Sequence, residues 1–116
     1  MDTPAGEAPA AAAFWSAALG TPAAPAPGEE QFTMLRDPFP GLALGVQAVD
    51  DAHRYHVDIE TDDVEAETAR LTELGAVEVS RWLECHVLRA PGGHLLCVIP
   101  VHSDPELFAG QATIWP

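Results

Sequence analysis

Apolar and polar positions along this chain switch between a period of 3.6 and a period of two, and the order of the switches predicts the fold. From residue 54 to 60 the alternation is strict, with Tyr55, Val57 and Ile59 on one face and His56, Asp58 and Glu60 on the other. A helix is predicted to follow, starting at Asp62 or Asp63 as N-cap. Asp62 and Glu65 have capping-box spacing, Val64, Thr68, Leu71 and Leu74 form the core stripe, Glu67 can pair with Arg70 on the solvent face, and Gly75 is the stop. Strands over 77–81 and 84–90 come next, then a Pro91-Gly92-Gly93 turn and an apolar last strand over 94–101. The tail, 103–116, carries few signals, and its Phe108 and Trp115 are expected to tuck against the body or a partner subunit.

The first half repeats this plan less clearly. Pro9 suits the opening of a helix in which Ala11, Phe14, Trp15, Ala18 and Leu19 share a face, and Gly20 ends it. The stretch TPAAPAPG is expected to be a loop, because its prolines lack amide donors. Strands over 31–36 and 42–49 flank a DPFPG turn, and in the second of them Ala43, Gly45 and Gln47 share a face. Only MDTPAGEAP precedes the first helix and it is a poor strand former, so a strand there is expected to be absent, irregular or supplied by another chain.

Composition narrows the function classes. The chain has 116 residues and a net charge of −13, from eighteen acids against five basic residues, all arginine, which disfavours nucleic acid as a partner. No apolar run reaches the roughly 20 residues of a membrane helix, and the N-terminal residues lack the basic region of a secretory signal, so a cytoplasmic protein is expected. Two cysteines, Cys85 and Cys97, are too few for a disulfide scaffold. If the last turn has three residues, Ala90 faces His94, His86 faces Val98 and Val87 faces Cys97. Cys85, Val87, Arg89, Leu95, Cys97 and Ile99 then share one face, and His86 and His94 the other. A Cys85–His86 nucleophilic dyad is excluded because neighbours on a strand point apart.

The order of these elements resembles the vicinal oxygen chelate superfamily, the glyoxalase/bleomycin-resistance/dioxygenase type, and its small glyoxalase-like domains in particular. The matching segments are FWSAALG, HVDIETDDVEAETARLTELGA and HVLRAPGGHLLCVIP. The resemblance implies an α+β fold of two βαβββ modules whose mixed sheets curl around a shared cavity, over about 8–50 and 53–102 of a single 1–116 domain, with the first strand of module one lacking or irregular. It implies metal ligands on the first and last strands of each module. His56 is the only well-matched ligand; Leu95 stands where a carboxylate is required, and Gln47 lies near the matching position of module one, with an amide oxygen that is a weak donor.

The expectation is therefore a homodimeric, non-membrane protein that binds a small organic molecule, with no cofactor and no catalytic metal. Gln47, His56, Asp58, Trp82, Arg89 and Cys97 are the candidate ligand-binding residues. Arg89, if inward, needs an anion, either Asp58 or a ligand carboxylate; Cys97 is read first as a buried packing residue. Trp82 either stacks on a planar ligand or belongs to the core or an interface. The alternatives are a metal-dependent lyase, isomerase or dioxygenase of the same superfamily, and a non-catalytic interaction subunit.

Overall fold

The computed structural model describes residues Met1–Pro116 and divides into two units, Met1–Tyr55 and His56–Pro116. Each contains one βαβββ module. In the first unit the order is β1 (Asp2–Pro4), α1 (Ala8–Leu19), β2 (Ala23–Ala26), β3 (Glu29–Phe39) and β4 (Leu42–Val49). The second has β5 (His56–Thr61), α2 (Val64–Glu73), β6 (Val77–Trp82), β7 (Cys85–Arg89) and β8 (Leu95–Pro100), followed by α3 (Pro105–Gln111). The sheets have the same plan: β1-β4-β3-β2 and β5-β8-β7-β6, in which the first strand runs parallel to the last and all other pairs are antiparallel. No helix is long and apolar enough to cross a membrane.

The first unit departs from its sequence in four places, the first being β3, which runs on through Asp37–Phe39 so that only Pro40-Gly41 of DPFPG forms the turn. Asp2–Pro4 does form a strand, supplied by the chain itself, and pairs Asp2 with Gln47 and Thr3 with Ala48. Propensity misses it because three residues held by β4 need little intrinsic preference. The TPAAPAPG stretch is not all loop. Ala23–Ala26 pairs with β3 at the sheet edge, where the missing amide of Pro25 costs no ladder bond, and the register slips beside that proline. Finally, α1 buries Ala8 and Ala12 against Val46, with Trp15 beside them, while Phe14 lies 63% exposed and Ala18 faces solvent. Small residues let the helix approach the sheet on that side. Gly20 ends α1 in a left-handed conformation, φ 66°.

The second unit follows the alternation closely. Asp63 is the N-cap of α2 and accepts from the Ala66 amide at 2.9 Å; the spacing of Asp62 and Glu65 forms no capping box. Val64, Thr68 and Leu71 pack inward, joining a core of Ala76, Leu88 and Val98, but Leu74 is 65% exposed. Glu67 grips Arg70 through two hydrogen bonds, of 2.7 and 2.6 Å, yet Glu67 is buried rather than on the solvent face. Arg70 in turn lies over the Trp115 ring, 4.3 Å from its centroid, so Trp115 tucks against the body. The tail also holds the helix α3, whose signal was Asp104 followed by Pro105: Asp104 accepts from the amides of Glu106 and Leu107.

The β6–β7 turn, Leu83-Glu84, lacks Gly or Asn because Leu83 itself takes the left-handed position, at φ 53°. A side chain there is strained, and Leu83 is 83% exposed, so it makes no packing that would compensate. Leu83→Gly is expected to raise stability by roughly 1 kcal/mol. Urea denaturation checks this, and an unchanged or lower midpoint refutes the strain.

Candidate functional site

Register decides which side chains meet. Across β5 and β8, His56 pairs with Leu95, Asp58 with Cys97 and Glu60 with Ile99. Across β7 and β8, Arg89 pairs with Leu95, Val87 with Cys97 and His86 with Val98. The face opposite α2 therefore carries His56, Asp58, Leu95, Cys97, Cys85, Val87 and Arg89, and Trp82 joins it through its pairing with Cys85. His86 is on the other side, 4% exposed, with Nδ1 2.9 Å from the Thr68 hydroxyl and Nε2 3.6 Å from Glu65. The hairpin pairing read from the sequence holds at every position, and His86 points away from His56.

Three candidate residues come together. His56 Nε2 lies 3.2 Å from Asp58 Oδ1, and the nearest donor atoms of His56, Asp58 and Cys97 all lie within 4.8 Å of one another. Burial works to raise the Asp58 carboxyl, but hydrogen bonds from His56 and Cys97 outweigh it and hold the group below its usual range. Burial pushes the Cys97 thiol well up, and the neighbouring Cys85 and Asp58 reinforce this. As it stands, Cys97 is a protonated, half-buried thiol rather than an activated nucleophile.

The other candidates sit differently. Arg89 is exposed and donates to the Gly93 carbonyl at 3.1 Å across its own hairpin, so the condition for a buried guanidinium, an inward side chain, is not met. Trp82, 68% exposed at the end of β6, is not core. Gln47 belongs to the first unit, on the face of its sheet opposite α1, paired with Asp2 and Phe32. A shallow hollow of about 470 Å³ opens on the α2 side, lined by Asp63, Glu65, Arg81 and His86 among others, and includes none of the candidates.

A family model, that of the glyoxalase-like domain, matches residues 1–99. The chain belongs to this family. Solved structures to which it is similar include a possible glyoxalase from Bacillus cereus, at 20% identity over 85% of this chain and 94% of that one, TM-score 0.35. Another is a member of the glyoxalase/bleomycin resistance protein/dioxygenase superfamily from Sphaerobacter thermophilus, at 15% identity over 87% and 94%, TM-score 0.36. A third is an antibiotic binding protein from a Streptomyces species, at 20% identity over 86% and 91%, TM-score 0.33. No curated protein matches.

For a glyoxalase-like domain the four metal-ligand positions lie on the first and last strands of the two modules. Asp2 and Gln47 are partners across β1 and β4 just as His56 and Leu95 are across β5 and β8, so these are the four residues. Sequence reasoning missed Asp2, and the signal that finds it is the repetition of the βαβββ plan. The residues do not fit that metal centre. Leu95 has no donor atom, Gln47 offers a weak amide oxygen, and the Asp2 carboxylate is held 2.8 Å from Arg54 Nε.

Proposed function

We propose that this glyoxalase-like domain binds a small organic molecule on the face of its second sheet opposite α2, without turnover at the family's four-ligand metal centre. The observation that carries this reading is the side-chain set gathered by register. A His56–Asp58 pair lies in an apolar floor that includes Val87 and Leu95, with exposed Trp82 and Arg89 on the same face. Such a floor with a few fixed polar groups is how small-molecule sites are generally built. Trp82 offers a stacking surface, Arg89 a forked donor, and Asp58 an acceptor, which suits a planar molecule with both donors and acceptors.

The test is a thermal-shift screen of small organic compounds against chelator-treated protein. A compound at a hundredfold excess over its dissociation constant adds about 2.7 kcal/mol to apparent stability. The shift is expected to persist with chelator present, and to fall in both His56→Ala and Trp82→Ala. A hit whose shift vanishes with chelator, or survives both substitutions, overturns the reading. A second reading, a non-catalytic interaction subunit, is favoured by the exposed apolar side chains of edge strand β6 and its turn, Val77, Val79 and Leu83. A screen without hits, together with self-association that Leu83→Asp abolishes, supports it instead.

A further inference from the structure

We propose that His56, Asp58 and Cys97 form a zinc-binding site that shares only His56 with the family's ligand positions and takes its other two donors from the next pair along β5 and β8. The geometry follows from the sheet. Asp58 and Cys97 are direct partners on adjacent parallel strands, and His56 is two residues before Asp58, so all three side chains leave the same face within one pleat. Two donors bound to zinc at about 2.1 Å and a tetrahedral angle stand about 3.4 Å apart. His56 Nε2 and Asp58 Oδ1 are already 3.2 Å apart, and no pair in the triad exceeds 4.8 Å, so closing the site needs side-chain rotation only.

The donor types select the ion. A thiolate sulfur, an imidazole nitrogen and one carboxylate oxygen favour zinc over magnesium or calcium, which take oxygen ligands. Three protein donors leave a fourth position, filled by water or by a donor atom of a bound molecule, as in zinc sites that are not purely structural. The Asp58 side chain is 45% exposed, which gives an ion a way in from solvent. On binding, the Cys97 sulfur forms the bond to zinc and its proton leaves to solvent; no electron changes hands. The site requires no organic ligand, so it stands or falls separately from small-molecule binding.

The full-length protein, stripped of metal and freed of chelator, is titrated with Co²⁺ and then Zn²⁺. One Co²⁺ per chain is expected, with a thiolate-to-cobalt charge-transfer absorption that Zn²⁺ abolishes by displacement. Cys97→Ser should lose that absorption, and both Cys97→Ser and His56→Ala should weaken Zn²⁺ binding by more than the roughly 10- to 100-fold that loss of an outer-shell partner costs. Glu73→Gln, an exposed acid on α2, should change neither. Absence of the charge-transfer band in the wild-type protein overturns the proposal. So does Zn²⁺ binding of equal strength in Cys97→Ser, which would assign the ion to the acidic surface. Should Cys97→Ser fail to fold, Cys85→Ser decides: the band is expected to persist in it, and its loss there would assign the thiolate to Cys85 and overturn the proposal.

Discussion

Leu88→Ala is expected to cost about 2–5 kcal/mol, the range for emptying a fully buried leucine site. Leu88 has no exposed surface, as is true of Val98, and the two join Ala76 in the core beneath α2, with Val64, Leu71 and Leu96 packed around them. A strand held on both sides, by β6 and β8, cannot collapse into the space a shortened side chain leaves. For a domain with a total stability of about 5–15 kcal/mol this is a large share. Urea denaturation followed by tryptophan fluorescence measures it. Leu107→Ala provides the contrast: that leucine is 52% exposed on α3, and its loss should stay within about 0.5 kcal/mol. A drop below 1 kcal/mol for Leu88→Ala, or equal drops for the two, would mean that the second module's core lies elsewhere.

Leu95→Glu is expected to create affinity for a hard divalent ion. The position is the direct partner of His56 across β5 and β8, so a carboxylate there stands beside the imidazole on the same face. Electron paramagnetic resonance titration with Mn²⁺ should show binding at least roughly tenfold tighter than in the wild-type protein, a difference of about 1.4 kcal/mol. Adding His56→Ala to Leu95→Glu should remove the gain. Equal Mn²⁺ affinity in wild type and variant would mean that the presence or absence of an oxygen donor at position 95 does not govern metal binding on this face. The two ions also separate the two sites: manganese reports on the oxygen donor installed at 95, and zinc on the thiolate of Cys97.

Where the chain alternates strictly, the sequence was a reliable guide. The span from His56 to Val101 contained an alternating first strand, a capped helix and a Gly-Gly turn, and from that turn both the hairpin pairing and the face shared by Arg89, Leu95 and Cys97 could be worked out. The glyoxalase-like family could be recognised from the same stretch. Composition and charge added exclusions, not positions. The first half was harder to read because alanine and proline carry little patterning. Ala23–Ala26 looked like a loop, and Asp2–Pro4 lay in a segment whose prolines and glycine marked it as a poor strand former.

Local sequence determined the elements, their order and which face each side chain takes, because those follow from backbone period and turn chemistry over a few residues. Only tertiary structure decided the rest. Parallel pairing of β5 with β8 brings Asp58 and Cys97 together across 39 positions of chain, as Asp2 and Gln47 meet in the first unit. Packing of α2 on β7 buried His86 against Thr68, whereas Arg89 found its partner, Gly93, within its own hairpin. Contacts between residues so far apart depend on which strand neighbours which, and a strand's own sequence does not encode its neighbour.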